Sequence, residues 1–261
     1  MTIALLIASV VAAIMTVIWL KPTDQNRLKL LIAFSGSYLL SITALHLLPD
    51  VFVKIDTSRG AYFGSFVLVG FFLQVMLEYL SGGIEHGHAH HDSSKKDALP
   101  IGLLVGLCLH AFLEGMPLGS GGEGHAGHDH SHDHGHAHGY GHSHGAKASQ
   151  SALLWGIVLH KYPVAIWFLS MLLKNGMGKA KALGLLALFG VMAPLGTLLG
   201  GAEMIGQFHR ESLAIVIGIF LHVSTTILFE SSEGHKFNAY KMLAIAGGLA
   251  LAAAGMLLHH H

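Results

Sequence analysis

Residues 99–119 read LPIGLLVGLCLHAFLEGMPLG, an apolar run that contains two ionisable side chains, His110 and Glu114. A hydrocarbon core about 30 Å thick takes about 20 residues of α-helix to cross, and this run has that length. Lipid cannot satisfy an open strand edge, so a segment that spans the bilayer in this way is helical. The stretch therefore predicts an all-α membrane protein that keeps costly polar groups inside the bilayer.

The same pattern recurs along the whole chain. The predicted spans cover 2–20, 30–52, 61–80, 99–119, 151–173, 181–202, 212–230 and 239–258. The chain is 52% hydrophobic and 11% charged, which is less than half the charge of an ordinary soluble domain. These features predict a single polytopic domain over residues 1–261 with eight transmembrane helices.

The basic residues predict how this domain is oriented. Loops on one side of the predicted spans carry most of the Lys and Arg, and the positive-inside rule makes that side cytoplasmic. An even number of spans then places both termini outside. We expect an integral protein of the plasma membrane (the inner membrane in a bacterium), and the formal net charge of zero gives no indication of a nucleic-acid partner.

Histidine is unusually abundant, with 22 copies, and many of them fall in two low-complexity segments. We predict a cytoplasmic loop at 82–98, with His86, His88, His90 and His91. We predict an extracytoplasmic loop at 119–150, with His125, His128, His130, His132, His134, His136, His138, His142 and His144. Such segments cannot bury a core, and alternating histidines favour metal capture over the alternative of a passive polar linker.

The fourth span has the first candidate metal ligands. His110 and Glu114 are four residues apart, so they share one helical face. Pro117 removes a backbone hydrogen bond and leaves the carbonyl of Leu113 free, one turn back. The single cysteine, Cys108, excludes both a disulfide within the chain and a zinc site built from cysteines.

Two other spans repeat a histidine followed by a proline. Span 5 contains VLHKYPVAI, with His160 three residues before Pro163, and span 2 contains ALHLLPD, with His46 three residues before Pro49. Helices interrupted in this way line the binding sites of transporters. Together with the pair in span 4, these groups supply three imidazoles and one carboxylate, a sufficient set of zinc ligands. An interhelical hydrogen bond is the alternative for any one histidine.

Three further residues are candidates for supporting roles. Lys161 follows His160 near the middle of span 5, where its chain is too deep to reach an interface, so we expect it to pair with Glu114 or to replace a second metal. His222 in span 7 either lines a pathway or bonds a neighbouring helix, and we favour the bond slightly. Asp50, at the end of span 2, is another pathway candidate.

Several of these motifs in series resemble the ZIP (Zrt/Irt-like) family of metal transporters. They are HLLPD in span 2, His-x-x-x-Glu-Gly in span 4, His-x-x-Pro in span 5, Ala-Pro-Leu-Gly in span 6 and the histidine-rich loop after span 3. The resemblance covers nearly the whole chain. It implies inverted repeats, spans 1–3 and 6–8, around spans 4 and 5, with a metal path between two bundles and uptake into the cytoplasm. It also implies that the metal positions fall on His46, His110, Glu114 and His160.

The chain departs from the family pattern at the positions of a second metal. The asparagine position of span 4 is Ala111, and the acidic position after the span 5 histidine is Lys161. The second acidic position of span 5 is Val164 or Ala165, depending on the pattern. Alanine has no ligand atom and lysine repels a cation, so we expect one transport-site metal rather than two.

We therefore predict transmembrane transport of Zn²⁺ and no enzyme activity. Fe²⁺, Co²⁺, Ni²⁺, Cd²⁺ and Mn²⁺ are alternative substrates, because imidazole-rich sites do not separate these ions by affinity alone. An intramembrane zinc-dependent hydrolase, with His110 as ligand and Glu114 as general base, is the second hypothesis. A metal exporter of the cation diffusion type is the third, and we disfavour it because such exporters have six spans and cytoplasmic termini. A metal-binding sensor without flux is the fourth. The expected partners are the divalent metal ion and the lipid bilayer, and a homodimer is compatible with the sequence.

Overall fold

The computed structural model describes residues 1–20, 25–53, 55–81, 101–120, 142–230 and 239–259. In these ranges the regular structure is entirely helical, with no strand. The cytoplasmic loop predicted at 82–98 and the larger part of the loop predicted at 119–150 lie outside the described residues. The same holds for the proposed capture histidines between His86 and His138, and the side chains of His142 and His144 are not described either.

The helices follow the apolar runs of the sequence. They are α1 Thr2–Leu20, α2 Gln25–Ile42, α3 Leu48–Phe52, α4 Thr57–Ser81, α5 Ile101–Ser120, α6 His142–Lys174, α7 Lys179–Gly200, α8 Glu203–Gly206, α9 His209–Glu230 and α10 Ala239–His259. Among the described residues, seven stretches are long and apolar enough to cross a bilayer: Thr2–Trp19, Asn26–Phe52, Thr57–Leu80, Ile101–Gly119, Ser149–Lys174, Lys179–Gly200 and His209–Phe229. These helices are consistent with an integral membrane protein. The apolar stretch described in α10, Ala239–Gly255, is shorter.

Two segments differ from the sequence prediction. The second span is not α-helical throughout, because a π-helical turn at Thr43–Leu47 joins α2 to α3 and the Leu48 N–H donates to the Thr43 carbonyl. Pro49, the second residue of α3, directly follows this turn, and a wider helical turn accommodates a proline ring that would clash in a regular α-helix. In addition, α6 begins at His142, so the predicted loop at 119–150 is helical over its last residues.

Close contacts between backbones join α5 to α7. A Cβ atom added at Gly196 would lie 2.0 Å from the carbonyl oxygen of Phe112, and one at Gly200 would lie 1.9 Å from that of Met116. Only glycine permits this approach, and small residues at helix contacts are typical of membrane packing. Thr197, between the two glycines, donates to the Gly115 carbonyl at 3.1 Å. α5 is therefore held firmly against α7.

The helices pack in pairs, with α4 against α9, α10 against α2, α5 against α7 and α1 against α6. The interior contains two apolar clusters. The first cluster includes Leu39, Ile157 and Phe220. The second cluster includes Leu107, Phe168 and Phe189. Because α6 contributes to both clusters, polar side chains near its middle lie between them.

Candidate metal centre

Three of the four predicted metal ligands meet between α5 and α6. His110, Glu114 and His160 are 6%, 2% and 5% exposed, respectively. Each offers one ligand atom, and these atoms all lie within 4.8 Å of one another. The helical spacing of four residues places His110 and Glu114 on the face of α5 that meets His160 on α6. The imidazole rings of His110 and His160 have centroids 6.3 Å apart and are inclined by 76°.

A glutamine on α4 orients the first of these ligands. His110 Nδ1 lies 2.9 Å from Gln74 Oε1. An amide oxygen only accepts, so the ring donates its Nδ1 proton, and in the neutral imidazole the lone pair is left on Nε2. Nε2 lies 2.8 Å from Glu114 Oε1. That oxygen is nevertheless among the buried atoms of the described chain for which no hydrogen bond forms. Two electron-pair donors thus face the same small space, an arrangement that suits a cation.

A small cavity of about 30 Å³ adjoins these ligands. His110, Glu114, His160 and Lys161 line it. The remaining lining residues are apolar: Ile32, Leu107, Val164, Trp167, Phe189, Val223 and Ile227. This volume exceeds the 10–15 Å³ or so that one water requires, so the cavity has room for an ion with little accompanying water.

Lys161 is deeply buried, with 2% exposure, as its position in the middle of span 5 predicts. Its Nζ atom lies 4.1 Å from the centroid of the Phe189 ring on α7. Among the described residues this nitrogen has no hydrogen-bond partner, so the charge of Lys161 acts on that of Glu114 without a direct hydrogen bond. The predicted pairing with Glu114 stays a prediction. The ring face stabilises an ammonium group at the edge of the cavity.

The fourth predicted ligand, His46, does not join this group in the described part of the chain. It is half-buried and lies in the π-helical turn Thr43–Leu47. In the sequence, His46 and His160 each precede a proline by three residues. In the structure, Pro163 lies inside a regular α-helix, whereas Pro49 directly follows the π-helical turn that contains His46. The two histidines therefore occupy different local structures, and the role of His46 as a ligand stays a prediction.

The two pathway candidates lie elsewhere. Asp50 lines a second cavity of about 30 Å³, together with Pro117, Ser149, Gln150 and His209. His222 Nε2 lies 2.5 Å from Glu78 Oε2 on α4, which is the interhelical bond that the sequence favours. The His222 ring also packs edge-on against Phe71 at 5.0 Å. A pathway role for either residue stays a prediction.

Gln74 is the functional candidate that sequence reasoning missed. The search for ligands considered ionisable side chains, and a neutral amide does not stand out from the FFLQVMLEYL run of span 3. The available signal is polarity alone, since an amide in an apolar span is costly unless it is bonded.

The fold and the site together define a helical protein, consistent with an integral membrane protein, that buries a His/Glu group with the geometry of metal ligands. The chain matches no family model and no curated protein.

Proposed function

We propose that this protein carries a divalent transition metal across the membrane, with Zn²⁺ uptake into the cytoplasm as its activity. The observation that carries the proposal is the convergence of three ligand atoms from His110, Glu114 and His160 within 4.8 Å, at a depth where the side chains are almost fully buried. Ionisable groups inside a membrane span are costly, at about 3 kcal/mol each, and are retained for function by default. A bound cation offsets that cost.

The ligand set is suited to zinc that must be released again. Structural zinc sites are closed by four protein ligands, whereas sites with three protein ligands leave a position for water. Two imidazoles and one carboxylate make such an open site in the cavity beside α5 and α6. An ion can then exchange its last water for a ligand on the next part of its path. His46, half-buried in its π-helical turn, is a candidate for that step.

The helix pairs support a ZIP-like fold with eight spans, of which α10 would be the last. In such a fold the inverted repeat relates α1 to α7, α2 to α9 and α4 to α10, in that order. It also relates α5 to α6. A repeat of this kind requires that the packed pair α4–α9 has the counterpart α10–α2, and that the pair α5–α7 has the counterpart α6–α1. All four pairs are in contact. In this proposal both termini are outside, the loop at 119–150 gathers metal and the loop at 82–98 receives it.

The residues around the proposed transport site support a single metal there. Ala111 is fully buried next to His110 and supplies no ligand atom. Lys161 places an ammonium group on the cavity wall, and like charges in a low-dielectric site repel strongly. We therefore propose that Lys161 takes the place of a second cation.

An intramembrane zinc hydrolase is the second candidate, because three ligands with an open position can also activate a water. The cavity argues against it. About 30 Å³ is far below the several hundred Å³ of pockets that bind organic substrates. A sensor without flux shares the same site, so only transport distinguishes it from a carrier.

Zinc flux into proteoliposomes tests the proposal. Wild-type protein should accumulate zinc above protein-free liposomes, and His110→Ala/Glu114→Ala should fall to that background. The double variant His222→Ala/Glu78→Ala is the comparison, because it removes another His–Glu contact, which is part-buried and which we interpret as an interhelical bond. It should retain transport, and a loss there would instead give His222 a pathway role. Equal flux from the wild type and the His110/Glu114 variant would overturn the site. Binding without flux would favour the sensor, and a panel of Fe²⁺, Co²⁺, Ni²⁺, Cd²⁺ and Mn²⁺ would define the substrate.

A further inference from the structure

Gln74 is a fully buried amide on α4, a helix most of whose residues are at least partly exposed. Only 22% of the apolar window of α4 is buried, yet Gln74 is 0% exposed. An amide transferred from water to apolar surroundings costs several kcal/mol unless it is hydrogen-bonded. A leucine or methionine of similar size would pack there without this cost, so the position has a reason to be polar.

The reason lies on α5. Gln74 Oε1 accepts the Nδ1 proton of His110 at 2.9 Å, although the two residues are 36 positions apart in the chain. This contact fixes both the tautomer and the orientation of the ring, with Nε2 toward Glu114 and the cavity. Histidines that bind metals donate their second ring N–H to an oxygen in this way, and that partner raises the basicity of the ligand atom.

We infer that Gln74 is a positioning residue of the metal centre, which holds His110 Nε2 toward the bound ion from the neighbouring helix α4. This inference rests on the proposed metal centre. Gln74 itself offers no ligand atom to the ion, since its oxygen is engaged by Nδ1. It acts through His110, and its loss should therefore weaken binding without abolishing it.

Zinc affinity of three purified full-length variants tests the inference. Gln74→Met keeps the size of the side chain and removes the acceptor, and we expect it to lower the affinity of the buried site about 10- to 100-fold. Gln74→Glu keeps an acceptor oxygen at the same reach and should stay within about threefold of the wild type. Gln150→Met is the matched control. Gln150 donates to the Leu118 carbonyl near the end of α5, so this variant loses a glutamine hydrogen bond away from His110 and should keep the wild-type affinity.

Because we expect the loop histidines to bind zinc as well, the buried site is measured as the difference between each protein and the same protein with His110→Ala/Glu114→Ala. The visible absorption of bound Co²⁺ provides a readout that packing alone would not move. We expect Gln74→Met to shift or weaken these bands, and Gln74→Glu to restore them.

The outcomes separate the two claims. If Gln74→Met binds zinc with wild-type affinity and an unchanged cobalt spectrum, the inference is wrong and the metal centre stands. If Gln74→Glu fails as Gln74→Met does, acceptance of the Nδ1 proton is not the role of Gln74, and the inference is again wrong. If the wild type and the His110/Glu114 variant bind alike, the proposed metal centre itself is wrong.

Discussion

In the described part of the chain, two His–Glu contacts lie within apolar helices, and they differ in what surrounds them. Between α4 and α9, His222 and Glu78 bond each other at 2.5 Å, and Phe71 packs against the imidazole. On α5, His110 and Glu114 approach to 2.8 Å beside a third ligand-type residue, His160, and a cavity. Ionisable residues of this kind are functional candidates wherever they occur in a span. The number of donor atoms that converge distinguishes a candidate metal site from an interhelical bond.

The largest effect is expected when glutamate is replaced by glutamine in each of the two His–Glu contacts, because only one of the two replacements should impair transport. Glu114→Gln keeps the shape of the side chain and removes the charge that a divalent ion needs, so we expect zinc flux to fall at least about 100-fold. Glu78→Gln should leave flux within about threefold, since an amide oxygen can still accept from His222. Proteoliposome flux, normalised to folded protein, makes the comparison. A similar loss in both variants would mean that both contacts serve transport.

The contact between His222 and Glu78 should matter for the stability of the fold, although we expect it to matter little for zinc flux. His222→Ala removes the largely buried contact between His222 and Glu78, which should cost about 1–3 kcal/mol. The double variant His222→Ala/Glu78→Ala should lose less stability than the sum of the two single variants. This difference is the coupling free energy of a double-mutant cycle. Unfolding in detergent measures both variants. Additive effects of the two single substitutions would show that the bond contributes nothing to the fold.

Charge at Lys161 should change how many ions the site holds. Lys161→Glu replaces the ammonium on the cavity wall with a carboxylate, and we expect a second zinc ion to bind beside the first. The metal content, after subtraction of the corresponding His110→Ala/Glu114→Ala protein, should rise from one ion to two. Lys174→Glu, at the end of the same helix, is the control for a change of net charge. An unchanged content would contradict the view that Lys161 replaces a cation.

The smallest effect is expected at His46. Because His46 lies outside the group formed by His110, Glu114 and His160, His46→Ala should reduce zinc affinity less than about threefold. Titration of the purified protein with zinc against a competing chelator measures this. If His46→Ala reduced zinc affinity as much as His160→Ala does, His46 would be a ligand of the bound ion.

The sequence predicts the helices well because the bilayer imposes a simple rule of length and apolar composition. α1, at Thr2–Leu20, coincides with its predicted span. The π-helical turn at Thr43–Leu47 escapes that rule, because it depends on a backbone hydrogen-bond register that packing decides. Pro49 marks the neighbourhood of the turn, but a proline is compatible with both a kinked and a continuous helix, as Pro163 in α6 shows.

The candidate site is predictable only where its parts are close in sequence. The spacing of His110 and Glu114 follows directly from the helical repeat. Their meeting with His160 requires the packing of α5 on α6, and the contact from Gln74 spans 36 positions. No local pattern encodes such a contact. The same limitation explains why the sequence groups His46 with His160. The two histidines share a motif, but they lie in different local structures.

Zinc-edge anomalous diffraction from crystals of the full-length protein grown with Zn²⁺ would test the central claim most directly. We expect a peak between α5 and α6, at about 2.0–2.2 Å from His110 Nε2, from one carboxylate oxygen of Glu114 and from a ring nitrogen of His160. Crystals that show zinc at other positions and no anomalous density among these three side chains would contradict the account.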